Sequence, residues 1–193
     1  MATSSCSRLA AGELGAAGAL AAEFLGREGA EALAADFAAH PELAIALRVG
    51  GIVTGVAFGR PDGEGGATLE GITVDDAHSA RGIGSLLLAR FERAAAKAGY
   101  SSVSLGSGGG YVEHFYVKNG YRQTEYMVVI PGGDRRRLDL GGLEVLRERH
   151  REPGILVLNI AAPEGYAPVV KAALRQRLRA SEVCCIFCKQ VSN

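Results

Sequence analysis

Between residues 67 and 98 the chain passes from a strand into a helix through glycines, and this passage limits the available folds more than any other stretch. Ala67-Thr68-Leu69-Glu70-Gly71-Ile72-Thr73-Val74 has the character of a strand. From Leu86 to Ala98, Leu87, Phe91, Ala94, Ala95 and Ala98 recur at helical spacing, with Arg90, Glu92, Arg93 and Lys97 mostly on the other side. Between them stands Ser79-Ala80-Arg81-Gly82-Ile83-Gly84-Ser85. A strand that ends in a glycine turn and enters a helix aims several unpaired N–H groups at one point, which suits an anion. Gly82 and Gly84 let a ligand approach without meeting a Cβ. The helix dipole contributes only about 0.3–1 kcal/mol per charge, so hydrogen bonds from the turn and from Arg81 must supply the rest.

Two nucleotide patterns are excluded. The Walker pattern G-x-x-x-x-G-K-[ST] is absent, and G-x-G-x-x-G fails because Leu87 stands at its third glycine. The 27 glycines mostly mark turns, so the Gly82/Gly84 pair alone is weak support for a phosphate site.

Lys+Arg and Asp+Glu balance at 21 each, which leaves no global field to draw a nucleic acid or an anionic membrane. No apolar run of about 18 residues offers a membrane span. The alanine-rich stretch after Arg8 is interrupted by Glu13 and by glycines, so it forms no secretory apolar core, and a cytoplasmic location is expected. Cys6, Cys184, Cys185 and Cys188 lack a second ligand pair at metal spacing, and His150 does not supply one. They read as buried thiols of a reducing compartment, with no metal.

With 193 residues and 48% hydrophobic content, the chain supports one good core with an appendage. Cys6 to Leu9 reads as a short strand, and Gly12–Leu25 and Gly29–Ala39 as two alanine-rich helices ended by Pro41. Leu43–Val49 and Ile52–Phe58 form a hairpin turned at Gly50-Gly51, and Ala67–Val74 is the third strand in succession. After the helix to Ala98 come a strand at Ser101–Leu105, a short helix at Tyr111–Lys118 and a strand at Tyr121–Ile130. In the tail, Leu138–Arg151 reads as a charged helix or irregular segment, Ile155–Ile160 as a strand, Tyr166–Arg179 as an amphipathic helix and Val183–Val191 as a last strand.

This order of elements resembles that of the GNAT family of N-acetyltransferases. The specific matches are Ile72-Thr73-Val74-Asp75-Asp76 through Gly82-Ile83-Gly84-Ser85-Leu86-Leu87, similar to the family's acetyl-CoA motif [RQ]-x-x-G-x-[GA], and Phe115-Tyr116-Val117-Lys118-Asn119-Gly120-Tyr121, similar to its F-Y-x-K-x-G-[FY] segment. The resemblance covers about residues 4 to 131. It implies an α/β (α+β) acyl-CoA N-acyltransferase fold: a mixed, mostly antiparallel central sheet splayed into a V and flanked by helices, as a domain over residues 1–132. Residues 133–193 are then a C-terminal α/β extension, for which sheet completion, cover over the acceptor cleft and a homodimer interface are the open roles.

The resemblance also implies a site. The pantetheine arm of acetyl-CoA is expected along the backbone of Ile72, Thr73 and Val74, and the pyrophosphate on the turn Ser79, Ala80, Arg81, Gly82, Ile83, Gly84 and Ser85. Ser79 departs from the family's arginine or glutamine, and Gly109 stands near the place of a common asparagine. Tyr116 matches the tyrosine that points at the sulfur, and a phenol of pKa about 10 is able to protonate a developing thiolate of about 8.5. A backbone N–H at Ile72, freed by a bulge or a splay, would meet the oxyanion. Glu70, two residues before Ile72 and so expected on the same face, is the candidate base for the amine. Glu113 and His114 flank Tyr116 as candidates for the acceptor pocket. The expected function is direct acetyl transfer to a primary amine of a small-molecule or peptide acceptor, with specificity in Gly12–Ala39. The alternative is a non-catalytic acyl-CoA-binding or regulatory module on the same fold.

Overall fold

The structure, a computed structural model, describes residues 3–78, 82–109, 112–152 and 154–192. Its contacts gather into two units: residues 1–104 with 190–193, and residues 105–189.

The first unit contains β1 (Ser4–Arg8), α1 (Leu14–Ala39), β2 (Ala44–Val49), β3 (Ile52–Pro61), β4 (Ala67–Val74), α2 (Ile83–Lys97) and the start of β5 (Ser102–Ser107). Its strands lie in the order β1-β2-β3-β4-β5, antiparallel except for the last pair. The two helices expected before Pro41 are one segment broken at Gly26, whose φ of 75° and ψ of 177° interrupt the helical hydrogen bonding. α1 covers one face of the sheet, where Ala17, Ala21 and Leu33 meet Ala44, Ala46, Val56 and Phe58. The small alanines bring helix and sheet close, and Phe58 fills the space between them. α2 packs on β2, β3 and β4 through an apolar stripe of Leu87, Leu88, Phe91 and Ala95. At its C-terminus the amide of Tyr100 bonds the carbonyl of Ala95 and that of Gly99 bonds Ala96, the double closure expected where glycine follows a helix.

A bulge interrupts the β3–β4 ladder. Phe58 opposes Gly71 and Gly59 opposes Leu69, so Glu70 is the extra residue. Gly59 is confined there, because a Cβ would run into the carbonyl oxygen of Thr68 and lie 3.0 Å from the Phe91 ring.

The second unit holds the end of β5, then α3 (Val112–Lys118), β6 (Arg122–Pro131), β7 (Val145–Glu152), β8 (Ile155–Ala161), α4 (Pro168–Arg177) and β9 (Glu182–Gln190). Its strands run β9-β6-β8-β7, all antiparallel. β6 therefore has a tail strand on each side, and the contact division does not follow the 132/133 boundary expected from the sequence. Of the roles open to the tail, completing the sheet is the one these ladders display. Tyr126, Val128 and Ile130 join Leu156, Leu158, Ile160, Val183, Cys185 and Phe187 in the buried core.

The segment expected to be a charged helix or irregular, Leu138–Arg151, instead supplies β7. Its residues Leu146 to Arg151 are all exposed, so no apolar alternation signalled a strand. β8 provides the backbone partners whatever the side chains are, and charge at a sheet edge is tolerated because it opposes further pairing. Cys184 and Cys185 are buried, Cys6 and Cys188 are half-buried, and all four are free thiols.

Gly59→Ala should lower stability by about 1–3 kcal/mol, because the obstacle is backbone as well as a packed ring. Urea unfolding of the variant beside the parent protein measures this, and an unchanged midpoint would contradict the close approach.

Candidate functional site

In the first unit the site is built on the free edge of β4. The amide of Asp75 donates to the carbonyl of Thr54 on β3 at 2.8 Å. With Gly55 opposite Val74, this sets the phase of the ladder: Asp75, Thr73 and Gly71 turn their N–H and C=O groups to β3, while Val74 and Ile72 turn theirs away. On that far side β5 pairs β4 only at Ala67↔Val103 and Thr68↔Ser104 among the described residues. The edge from Leu69 onward thus offers backbone groups of Ile72 and Val74 to an extended ligand. Thr73 differs from its neighbours, since its backbone is committed to β3 and its side chain is buried.

The strand then closes in a tight turn. Asp75 Oδ1 accepts from the amide of Ala77 at 2.7 Å, and the amide of His78 donates to the Asp75 carbonyl at 2.9 Å. Ser79, Ala80 and Arg81 lie outside the described residues. Gly82 is the N-cap of α2 with φ 78° and ψ 9°, a left-handed conformation that an L side chain resists. No side chain caps the helix among the described residues, and its first internal bond runs from Leu86 N–H to the Gly82 carbonyl at 3.0 Å. The amides of Ile83, Gly84 and Ser85 are left without helical partners, and no acidic residue occupies the first turn. Such a terminus suits an anion.

Glu70 is the bulged residue, and the bulge shifts the side-chain phase. Gly71 faces α1, where a Cβ would meet Phe58 and Leu25, while Ile72 opposes Ala57 on the other side. Glu70 Oε1 accepts from Arg60 Nε at 2.8 Å, and Arg60 shares the α1 side with Phe58 two residues earlier. The shared face expected for Glu70 and Ile72 is therefore absent, because the extra residue breaks the two-residue alternation. The bulge falls at Glu70, and Ile72 is in register.

Asp36 of α1 adds a second carboxylate near this pair. Its Oδ2 is buried without a hydrogen-bond partner among the described residues. Burial, then the charge of Glu70, raises its pKa above the usual aspartate value, with Arg60 and His40 opposing. Sequence reasoning missed Asp36 and Arg60, since neither lies in a motif and only the packing of α1 on β3 and β4 joins them to Glu70.

In the second unit Tyr116 lies on α3, 6% exposed, with its ring against Phe115, Tyr121 and Phe187 at centroid distances of 5.3–5.9 Å. Burial pushes its phenol up to about 12. Glu113 is buried and ion-paired with Lys171 at 2.7 Å, whereas His114 is exposed with its ring edge-on to Tyr166 at 5.2 Å. Glu113 is thus part of an internal cluster. Lys171 and Tyr166, which belong to the tail, carried no motif signal.

No group of three or more His, Cys, Asp or Glu residues able to hold a metal occurs among the described residues, and no described helix is long and apolar enough to cross a membrane.

Residues 21–123 match the family model described as an acetyltransferase (GNAT) domain. No curated protein matches in sequence. Among solved structures, the ribosomal-protein-S18-alanine N-acetyltransferase from Escherichia coli is similar at 15% identity with a TM-score of 0.60, covering 99% of this chain and 96% of that one. The IAA acetyltransferase from Bacillus cereus has 16% identity and a TM-score of 0.56 over 98% of this chain and 100% of that one. Arabidopsis thaliana Naa50, solved with the bisubstrate analogue CoA-Ac-MVNAL, has 17% identity and a TM-score of 0.53 over 82% and 98%. The family match spans more than half of the chain and takes in the free edge of β4, the glycine-led start of α2 and the helix of Tyr116: the protein belongs to the GNAT acetyltransferase family.

Proposed function

We propose that this protein transfers an acetyl group from acetyl-CoA directly to the primary amine of a small-molecule or peptide acceptor. The observation that carries the reading is the edge of β4. Among the described residues, its backbone at Ile72 and Val74 has no strand partner on the far side, and no side chain caps the helix N-terminus at Gly82–Ser85. An extended amide-bearing arm with a pyrophosphate at its far end satisfies both features at once. Acetyl-CoA is such a molecule, and solved GNAT relatives are described with acetyl-CoA or with a coenzyme A analogue.

In this reading the amine nitrogen attacks the thioester carbonyl, the carbonyl oxygen takes up negative charge, and the C–S bond then breaks. A backbone N–H at the free edge of β4, that of Ile72, stabilises the oxyanion. Tyr116 gives its proton to the departing sulfur, and its raised pKa keeps it neutral, so the proton is present at every working pH. Glu70 receives the proton lost by the amine, directly or through water, and must exchange part of its Arg60 contact to do so. Asp36, with Glu70, leaves the Arg60 cluster one carboxylate in excess, which favours an acceptor that arrives as an ammonium ion.

Calorimetry should show acetyl-CoA binding, and Tyr116→Phe should keep that binding while lowering kcat by about 10²- to 10⁴-fold. Retained binding, with turnover on a broad amine panel indifferent to Tyr116, would favour the non-catalytic acyl-CoA-binding module instead.

Glu70→Gln should reduce kcat by about 10²-fold, with a stability change of no more than about 1 kcal/mol because the Arg60 pair is largely exposed. Parental turnover in the variant removes Glu70 from the mechanism.

The rate should rise with pH as the amine deprotonates and stay high past the ordinary phenol value of about 10, because the folded Tyr116 holds its proton up to about 12. A Tyr116-dependent fall in kcat between pH 8 and 10, read from the rate profile, would contradict this role.

A further inference from the structure

β7, β8, α4 and β9 lie beyond the stretch that matches the family, yet α4 reaches back to the helix of Tyr116. The contact is a buried polar cluster. Lys171, on α4, holds its ammonium 2.7 Å from Oε1 of Glu113 and 2.7 Å from the carbonyl oxygen of Gly108. The Glu113 side chain is only 3% exposed, and that of Lys171 is 18% exposed. Burial pushes the Glu113 carboxyl up, but the hydrogen bonds and charge of Lys171, with Tyr166 and Cys185, outweigh it and hold the carboxyl below its usual value. Glu113 is therefore a buried carboxylate that depends on Lys171 as its counter-charge.

The placement matters for Tyr116. Gly108 lies in the loop that enters α3 and Glu113 in the first turn, so one ammonium ties both to α4. Tyr116 follows Glu113 by three residues on the same helix face, and both are buried. The Tyr116 hydroxyl has no hydrogen bond to a described residue, so its position is set by the ring packing and by the helix that carries it. Phe187 links the two halves of the arrangement, with its ring 5.9 Å from Tyr116 and 6.0 Å from Tyr166.

We propose that Lys171, outside the family-matched region, is a positioning residue for acetyl transfer: by clamping Gly108 and Glu113 it fixes α3 and thereby the hydroxyl of Tyr116. The inference rests on the reading of Tyr116 as proton donor.

The test uses the full chain with Lys171→Met, Lys171→Arg and the double variant Glu113→Gln/Lys171→Met, which removes both charges and so avoids an unpaired buried carboxylate. For each, the folded fraction is measured by near-UV circular dichroism, and kcat and the acetyl-CoA KM are corrected for it. Lys171→Met should lose about 10- to 100-fold in kcat with KM changed less than about threefold. Lys171→Arg should recover most of that loss, and the double variant should cost no more than Lys171→Met. A kcat per folded molecule equal to that of the parent in Lys171→Met overturns the proposal and leaves a structural brace. Should Tyr116→Phe turn over like the parent, the proton-donor reading fails by itself. Amide exchange across residues 112–118 then decides the anchoring: faster exchange in Lys171→Met supports the clamp on α3, and unchanged exchange overturns it.

Discussion

Backbone hydrogen bonds oblige each strand edge to find partners, and β4 meets that obligation on one side only. Toward β3 its ladder is complete apart from the bulge at Glu70, while toward β5 it pairs at two positions and then no further among the described residues. A strand in that state is costly unless water or a ligand satisfies Ile72 and Val74. Phe58 and Phe91 hold β3 and β4 from opposite faces, and the close approaches at Gly59 and Gly71 leave no room for those rings to shift. The acetyl donor, in the proposed reading, is recognised by main-chain geometry far more than by side chains. That explains how Ser79 replaces the family's long polar residue without erasing the pattern.

Charge is used sparingly and locally. The equal totals of acidic and basic residues give the chain no overall field, yet two clusters concentrate it, one largely exposed around Glu70 and one buried around Glu113. Around Glu70 one guanidinium pairs with one carboxylate, and Asp36 adds a second negative charge nearby, with one buried oxygen that has no hydrogen-bond partner among the described residues. Around Glu113 the balance is even, with one ammonium for one carboxylate. The first arrangement leaves capacity for a cation. The second leaves none, and its satisfaction favours a fixed helix over a ligand site.

The secondary structure is legible in the sequence where an apolar period has a core to face. β4 and α2 follow the expected spans closely, as do β8 and β9, because each has an apolar face against a core. β7 is not legible: a sheet-edge strand that is charged or polar from Arg147 to Glu152 has no periodic signal, and its partner β8 supplies the reason it is a strand. Composition changes after Pro131, but the sheet does not end there, since β6 is paired on one side by β8 and on the other by β9.

The sequence by itself determined the family, through two motifs in order, and nominated Tyr116, Glu70 and the glycine-led helix start as chemistry-bearing positions. Motifs are local in the chain, so they survive without knowledge of packing. What only the tertiary structure decided is which neighbours those positions have. The extra residue in the ladder separates the faces of Glu70 and Ile72, the phase of the β3 hydrogen bonds withdraws Thr73 from the open edge, and Lys171 closes on Glu113 from 58 residues away. Each of these depends on a register or a contact between distant segments, set by how side chains fill a shared core, and no spacing along the chain records that.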